Sequence, residues 1–353
     1  DASPREWPRL SVIIPACNEG DTIGAALTTL LAQDYPNLEF VVIDDRSTDN
    51  TGAIIDEFAR ADPRVSAIHI SELPRGWLSK VHALDVGARA ASGQWLLFSD
   101  ADVHFARGAL QKAVAHAVAH ELDHVALLPE VRSGTFWQEV ALDAFGGLFL
   151  MQTRAWSVPD PKSDAFMGVG AFNLVRRTAF ERTAGFEWLR MEIADDMGLG
   201  LLLKRSGARS AVYLAPRDLN VLWYGSLPAM FAGLEKNVFG VMAHFSYPRM
   251  VVRLLGFSAL VLGPLSALFL LAVPYAWLAT AVAYLSIVPG AIVLRRAGVV
   301  QRVVPTLLLP VGMVLIGAMA VRSTLYCLRR KGIVWRGTHY PIAELRAQQR
   351  VRL

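Results

Sequence analysis

The chain has 353 residues, of which 53% are hydrophobic and 19% are charged, and its formal net charge is +4. The length favours two structural units, and the apolar fraction is higher than a soluble domain usually has, so we expect part of the chain in lipid. The small charge excess does not predict a nucleic-acid partner. The two cysteines, Cys17 and Cys327, stand far apart; no disulfide framework is expected, and a reducing compartment is favoured. Because the chain begins at Asp1 without Met, we expect either processing or residues missing before it.

The N-terminal part of the chain alternates runs typical of strands with runs typical of helices. Short apolar runs predict strands, and apolar residues at helical spacing predict helices, the first with Asp21 as its expected N-cap. This alternation predicts an α/β fold with a mostly parallel sheet, in which ligands bind beyond the carboxyl ends of the strands. The predicted elements are, in chain order, strand Leu10–Pro15, helix Asp21–Gln33, strand Leu38–Ile43, helix Thr51–Arg60, strand Val65–Ile70, helix Ser79–Ala91 and strand Gln94–Phe98.

Polar clusters follow three of the predicted strands at the point where each strand ends. They are Asn18-Glu19 after the first strand, Asp44-Asp45 after the second and Asp100–Asp102 after the fourth. Because the carboxyl ends of parallel strands meet at one edge of a sheet, we expect the three clusters to converge on a single crevice.

Asp100 and Asp102 are the sharpest local signal for chemistry. Two carboxylates one residue apart, just after a buried strand, supply the hard oxygen donors that Mg²⁺ or Mn²⁺ prefers. Such a cation would neutralise charge on the leaving group of a diphosphate substrate. The alternative is that either aspartate only caps the helix expected near Gly108.

Three further segments admit both a binding role and a plain structural one. Asp44 and Asp45 could accept hydrogen bonds from a base or a ribose, or they could form Asx turns before an N-cap at Asp49. The turn Pro15–Glu19 could grip a base through its backbone, or it could be only a turn. Lys80 opens a helix, where it could complete an anion site with helical amides or remain a solvated lysine.

The segment Glu192–Asp196 supplies further carboxylates ahead of an apolar helix that ends at Lys204–Gly207. A carboxylate delivered from this segment into the crevice could act as a general base toward an acceptor hydroxyl. The alternative is helix capping, since the helix dipole favours acidic residues in a first turn.

The C-terminal part of the chain predicts membrane segments. Leu254–Leu294 contains no charged residue and is long enough for two spans of roughly 20 residues each, with a turn near Pro274 and Tyr275. A third apolar stretch, Val303–Val321, contains two prolines, so we expect a kinked or re-entrant helix. Ser226–Met250 is expected to form an interfacial helix. A soluble helical bundle is the alternative, but the long uncharged run lacks the polar face that such helices need.

As an ordered set, five segments resemble the family 2 glycosyltransferases, which have the GT-A fold. The resemblance covers residues 9–225 and is specific as a set, although each segment alone is loose. The segments are SVIIPACNE at 11–19, VVIDDRSTDNT at 41–51, GWLSKVHAL at 76–84, LLFSDADV at 96–103 and ADDMGLGLLLKRSG at 194–207.

Two further segments add to this resemblance. Phe166–Arg177 with Gly185-Phe186 is similar to the acceptor-side segment of the family, although Ala184-Gly185 stands where the family usually has Gly-Gly. The C-terminal spans and Val334–Tyr340 resemble the membrane-bound branch that includes ceramide glucosyltransferase-like, hopanoid-associated and carotenoid glycosyltransferases. The Gln-x-x-Arg-Trp motif of processive polymerases does not occur in this sequence, which implies that one sugar is added per acceptor.

The resemblance implies a role for each matching residue. Asp196 matches the catalytic base of the family's Glu-Asp pair, and Asp195 replaces the Glu of that pair. Asp102, with Asp100 nearby, matches the metal-binding motif for Mg²⁺ or Mn²⁺. The residues implied to contact the nucleotide-diphosphate sugar are Pro15, Ala16, Asn18, Glu19, Asp44, Asp45, Lys80 and Asp100.

The function implied by the resemblance is an inverting, metal-dependent, non-processive transfer of a sugar to a lipid hydroxyl at the membrane surface. The donor is expected to be a nucleotide-diphosphate sugar, UDP-linked in this interpretation, and no nucleic acid takes part. We expect a GT-A catalytic domain at 9–225, an interfacial linker at 226–250, a transmembrane region at 251–328 and a C-terminal tail at 329–353. The alternatives are a catalytically degenerate membrane scaffold and a nucleotidyltransferase.

Positive charge predicts the membrane topology. Arg249, Arg253 and the loop Arg295–Arg302 fit the cytoplasmic side, which places a multi-pass protein in the inner cell membrane with a cytoplasmic catalytic domain. Three complete spans would put Arg329 and Arg330 on the opposite side, against the positive-inside rule. A re-entrant third segment removes this conflict, and we expect the C-terminal tail on the cytoplasmic face.

Overall fold

The computed structural model describes residues 4–266, 275, 277–296, 300 and 302–352. Up to residue 224, its strands and helices are β1 Leu10–Ala16, α1 Ile23–Leu31, β2 Leu38–Asp45, α2 Thr51–Ala61, β3 Val65–Ile70, α3 Ser79–Ala90, β4 Trp95–Phe98, β5 His104–Phe105, α4 Ala109–Ala119, β6 His124–Leu128, β7 Glu130–Ser133, α5 Phe136–Thr153, β8 Asn173–Arg176, α6 Arg177–Glu181, α7 Asp195–Arg205, β9 Ser210–Leu214 and β10 Leu219–Tyr224. The later elements are α8 Leu227–Leu234, α9 Val238–Ala243, α10 Tyr247–Ser266, α11 Trp277–Arg296, α12 Val303–Leu307, α13 Leu309–Arg330, β11 Gly332–Trp335, β12 Thr338–Pro341 and α14 Ile342–Gln348.

The chain divides into two compact units, each built from segments that are separate in sequence. Unit 1 consists of Asp1–Pro129, Thr153–Val221 and Ala347–Val351. Unit 2 consists of Glu130–Gln152, Leu222–Arg346 and Arg352–Leu353. The domain borders predicted at residues 225, 250 and 328 remain predictions, because compactness alone does not define a catalytic or a membrane region.

Unit 1 contains a seven-stranded sheet in the order β3-β2-β1-β4-β8-β6-β9. β1 runs parallel to β2 and β4, β2 to β3, and β6 to β9, whereas β8 runs antiparallel to β4 and β6. Ala16 lies beside Asp44 in the register of β1 and β2, so the carboxyl ends of these strands meet at one edge. The predicted α/β fold with a mostly parallel sheet is confirmed.

The central strands of this sheet are buried on both faces. Every residue of β1 and β4 is buried, as expected for strands covered by helices on each side. α3 approaches the sheet closely at Gly87, where a Cβ atom would lie 2.5 Å from Ile13 Cγ2 and 2.7 Å from Ile43 Cδ1. This contact constrains the position of α3, whose first turn carries Lys80.

The start of α1 differs from the prediction. The helix begins at Ile23 after Thr22, so Asp21 is not its N-cap. Instead, the Glu19 carbonyl accepts hydrogen bonds from the N–H groups of Thr22 at 3.0 Å and Ile23 at 2.9 Å. A backbone turn therefore satisfies the first helical donors, and this turn cannot be recognised from residue type.

The segment 226–250, predicted as one helix, forms α8, α9 and the beginning of α10 in unit 2. The Ser226 hydroxyl caps α8 by accepting from the Ala229 N–H at 3.3 Å. α9 ends where His244 and Phe245 adopt positive φ angles of 51° and 54°, which no helix can continue through. The interfacial role of this segment remains a prediction.

The predicted membrane segments also lie in unit 2. α10 and α11 correspond to the first two; Tyr275 lies in a turn, and Pro274 lies outside the described residues. The third apolar stretch is interrupted at Leu308, between α12 and α13, with Pro310 in the first turn of α13. Within the described ranges, one helix, Leu309–Arg330, is long and apolar enough to cross a membrane.

Candidate active site

Lys80 lies among carboxylates rather than in solvent. Its Nζ is 2.7 Å from Asp100 Oδ1 and 3.2 Å from Asp195 Oδ2. Burial by itself lowers the pKa of Lys80, but the charges of Asp100, Asp195 and Asp196 outweigh burial and raise it above its usual value. Lys80 is therefore a permanently charged, largely buried cation, and the alternative of a solvated lysine is wrong.

Asp196 lies in the first turn of α7, and both of its carboxylate oxygens accept backbone hydrogen bonds. Oδ2 accepts from the Gly170 N–H at 2.9 Å, and Oδ1 accepts from the Met197 N–H at 2.7 Å. The loop before β8 can approach this closely because Gly168 has no Cβ; one there would lie 1.8 Å from the Asp196 carbonyl oxygen. Burial, and then the charge of Asp195, raise the pKa of Asp196 to about 6. Such a carboxylate is ionised at neutral pH and still basic enough to accept a proton.

Lys80, Asp100, Asp195 and Asp196 line a small cavity in unit 1. We call these four residues the carboxylate cluster. The apolar side chains in the cavity wall lower the local dielectric constant and strengthen the electrostatic interactions inside the cavity. The other residues that line it are Leu84, Phe98, Ser99, Gly170, Asn173, Phe186 and Leu199.

Asp102 is the predicted metal ligand. Burial, and then the charges of Asp100 and Glu19, raise the pKa of Asp102 to about 7. Among the residues that the structure describes, no ion pair involves Asp102, and no cluster of three or more His, Cys, Asp or Glu side chains could by itself hold a metal. A buried carboxylate surrounded by like charge favours a divalent cation, and Mg²⁺ or Mn²⁺ often completes such a site with waters and substrate phosphates. The donor set therefore fits the expected cation.

The turn after β1 is tied to the loop after β2 by neutral hydrogen bonds. Asn18 N–H donates to Ser47 Oγ at 3.0 Å, and Asn18 Oδ1 accepts from the Thr48 N–H at 2.8 Å. Glu19 N–H donates to Thr51 Oγ1 at 2.8 Å. Residues 18–19 and 47–51 thus form one connected surface, which we call the loop surface.

Asp44 and Asp45 are neighbours in sequence, but the structure places them differently. Asp44 Oδ1 accepts from the Ser47 N–H at 3.2 Å, and its Oδ2 lies 3.1 Å from Nδ1 of His69. Asp45 is fully buried, and its carboxylate accepts from the Ser79 hydroxyl. Asp44 therefore borders the loop surface, whereas Asp45 anchors the beginning of α3.

Two contacts of the site were not predicted from the sequence. His69 is 2.9 Å from the Asp56 carboxylate as well as 3.1 Å from Asp44, and the two carboxylates raise the pKa of His69. Gly170 supplies the N–H that holds Asp196. The cross-strand register that puts His69 beside Asp44 could not be read from sequence, although the glycines of the loop 166–173 hinted at a close backbone approach.

The structure thus brings Lys80, Asp100, Asp195 and Asp196 to one cavity. Pro15 and Ala16 are buried at the end of β1, so only their backbone groups could reach a nucleotide. The nucleotide, metal and base roles of all the predicted site residues remain predictions.

Comparison with known proteins identifies the family. The sequence model described as Glycosyl transferase family 2 matches residues 11–183. The GalNAc(5)-diNAcBac-PP-undecaprenol beta-1,3-glucosyltransferase of Campylobacter jejuni is 31% identical over 113 residues, which are 31% of this chain and 35% of that protein. The beta-monoglucosyldiacylglycerol synthase of Synechocystis sp. is 26% identical over 212 residues, which are 58% of this chain and 42% of that protein. The chain spans less than half the length of these curated relatives.

A solved structure shows the same fold. The mannosyltransferase PcManGT from Pyrobaculum calidifontis, in complex with GDP-Man and Mn²⁺, superposes with a TM-score of 0.53 at 22% sequence identity. The match covers 90% of this chain and 88% of that chain. The predicted GT-A fold is therefore confirmed.

Proposed function

We propose, from the premise that residues 11–183 make this chain a member of glycosyl transferase family 2, that it moves a sugar from a nucleotide-diphosphate donor to a lipid hydroxyl. The reaction is one in-line displacement with inversion. The acceptor oxygen bonds to the anomeric carbon as the bond from that carbon to the diphosphate oxygen breaks, and the hydroxyl proton passes to the enzyme.

Asp196 is the group that receives this proton. Its two backbone hydrogen bonds hold the carboxylate in one orientation, and burial keeps its pKa at about 6. Lys80 places positive charge beside Asp100 and Asp195 and so offsets part of the negative charge that a diphosphate would meet there. This arrangement of a poised carboxylate beside a buried cation is the observation that carries the proposal.

Asp102, with Asp100 nearby, would hold a divalent cation, Mg²⁺ or Mn²⁺. When bound, it neutralises charge on the departing diphosphate. The loop surface and Asp44 bind the nucleoside, for which we favour uridine. The solved mannosyltransferase structure with the same fold holds GDP-Man, so the donor panel below includes guanosine diphosphate sugars.

The acceptor is a lipid because apolar segments accompany the catalytic unit. α13 is able to span a bilayer by length and composition, and two relatives are named for an undecaprenol-linked substrate and for a diacylglycerol product. A catalytic unit held at the bilayer surface reaches the headgroup of a lipid without extracting it.

The path of the chain limits the membrane topology. The chain leaves unit 1 after Val221 and returns to it at Ala347. In the topology that we propose, both ends of the intervening stretch lie on one side of the membrane, and the number of crossings is even. Two crossings, or a third segment that re-enters, satisfy this condition, and the positive-inside rule makes that side cytoplasmic. A reporter at the C-terminus should be cytoplasmic; an external reporter contradicts this topology.

The test of the proposed function uses the full chain in nanodiscs with a panel of uridine and guanosine diphosphate sugars, Mg²⁺ or Mn²⁺, and extracted membrane lipids. We expect one donor to yield a glycolipid whose anomeric configuration is inverted. Asp102→Ala should weaken donor binding in the presence of the cation, whereas Asp164→Asn, at an exposed position, should not. Absence of transfer from every donor, or retention of configuration, contradicts the proposal.

A further inference from the structure

The C-terminal segment of unit 1 is hydrogen-bonded to a buried carboxylate. Glu192 is 1% exposed, and its Oε2 accepts hydrogen bonds from the backbone N–H groups of Arg350 at 2.6 Å and Val351 at 2.9 Å. Both donors belong to the segment 347–351, with which the chain returns to unit 1. A buried carboxylate needs such donors, because an ionised group without them is costly in a low-dielectric interior.

The same carboxylate also contacts the start of α7. Glu192 Oε1 accepts from the Ala194 N–H at 3.2 Å, one residue before Asp195 and two before Asp196. α7 packs directly on Glu192 at Gly198, where an added Cβ would lie 3.2 Å from Glu192 Cγ. Glu192 therefore links the C-terminal segment to the helical turn that carries the proposed base.

Side chains hold the C-terminal segment in place. The Arg350 guanidinium lies 5.0 Å from the ring centre of Trp188, and its Nε donates to the Trp188 carbonyl at 3.3 Å. Gln348 Oε1 accepts from Arg190 Nε at 3.3 Å, and Val351 is 1% exposed. A segment fixed by buried backbone and side-chain contacts is part of the folded unit rather than a free terminus.

The residues that contact this segment also contact the start of α3. The Arg190 carbonyl accepts from the Leu78 N–H at 2.6 Å, and Leu78 is the N-cap residue of α3. Lys80 lies two residues further along. The segment 188–192 thus lies between the turn that carries Lys80 and the turn that carries Asp196.

We infer that Glu192 and residues 347–351 form a C-terminal clamp that positions the proposed base Asp196 against Lys80 and the Gly170 N–H. Glu192 is a positioning residue, because it acts through α7 and not on the substrate. The inference rests on the proposed function for its effect on turnover, whereas its effect on the order of α7 is independent of any activity. A carboxylate suits this place because three N–H groups donate to its two oxygens; in a glutamine, the NH₂ group would face one set of these donors.

The test compares two truncations and one substitution in the full chain. Removing residues 347–353 deletes both N–H donors, and we expect kcat to fall by about 10- to 100-fold, as small misplacements of catalytic groups do, with the donor KM nearly unchanged. Removing only 352–353 retains the clamp and is the matched control, with kcat as in the wild type. Glu192→Gln should lower kcat in the same direction by a smaller factor.

A second measurement separates positioning from loss of folding and from failure of the proposed function. Hydrogen exchange of the amides at 195–198 should accelerate in the longer truncation and in Glu192→Gln, while the amides of β1 stay protected. If the longer truncation does not fold, Glu192→Gln decides alone. Unchanged kcat and unchanged exchange in Glu192→Gln overturn the clamp. If the wild type transfers no sugar, the proposed function fails, and the exchange experiment still decides whether the clamp exists.

Discussion

On the loop surface, hydrogen bonds between neutral groups connect Asn18 and Glu19 with residues 47–51, and Asp44 is satisfied by an N–H and by His69. In the carboxylate cluster, by contrast, Lys80 is largely buried among three carboxylates, and the pKa of Asp196 is raised to about 6. The first region has a shape fixed largely by neutral hydrogen bonds, whereas the second concentrates charge beside apolar side chains. This difference suits binding on one side and proton transfer on the other.

Asp196→Asn is the change with the largest expected effect. Asparagine keeps the shape and can still accept from the Gly170 N–H, but it cannot take a proton from the acceptor. Loss of a general base lowers turnover by a factor of about 10²–10⁴. Calorimetric titration should show unchanged donor binding, and Asp164→Asn is the control. Near-normal turnover in Asp196→Asn would show that proton transfer does not depend on the carboxylate cluster.

Lys80→Met tests the charge balance of the cluster through stability. Removing the cation leaves the buried carboxylate of Asp195 without the lysine that neutralises it, and breaking a buried pair in this way costs about 3–5 kcal/mol. Urea unfolding measures the loss. The control is Lys112→Met, which removes an exposed ion pair with Asp218 and should cost no more than about 1 kcal/mol. Equal effects of the two substitutions would contradict the view that the cluster differs from the surface.

The pH dependence of turnover reports the raised pKa of Asp196. The base must be ionised, so kcat should be constant above the pKa of about 6 and fall tenfold per pH unit below it. An ordinary exposed aspartate would place this fall near pH 4 instead. Initial rates between pH 4.5 and 8 at saturating donor distinguish the two, and a flat profile down to pH 5 contradicts the assignment.

His69→Gln should have the smallest effect and act on the loop surface. Glutamine cannot bridge Asp44 and Asp56 as the imidazole does, so the Asp44 carboxylate is held less firmly. We expect donor binding to weaken by about 1 kcal/mol, which raises donor KM roughly fivefold. kcat should stay the same, since the carboxylate cluster is untouched. Asp56→Asn, at an exposed position, should change donor KM less. A drop in kcat without a change in KM would mean that His69 acts in the chemical step rather than in donor binding.

Much of unit 1 could be predicted because the signals are local. β1 and β4 are short, largely apolar runs, and their alternation with amphipathic helices predicted a parallel sheet with polar strand ends. The start of α1 and the splitting of the segment 226–250 could not be predicted, since a backbone turn at Glu19 and positive φ angles at His244 and Phe245 decide them.

By itself, the sequence determined which groups are available: carboxylates at Asp44, Asp100, Asp102 and Asp196 and a lysine at the start of a helix. Only the tertiary structure decided how they behave. Asp45 is buried and bonded to Ser79, whereas Asp44 lies at the edge of the loop surface. The C-terminal segment binds Glu192, which is more than 150 residues away in sequence. The physical reason is that burial and the proximity of charges set a pKa and an orientation, and both depend on residues that are distant in sequence.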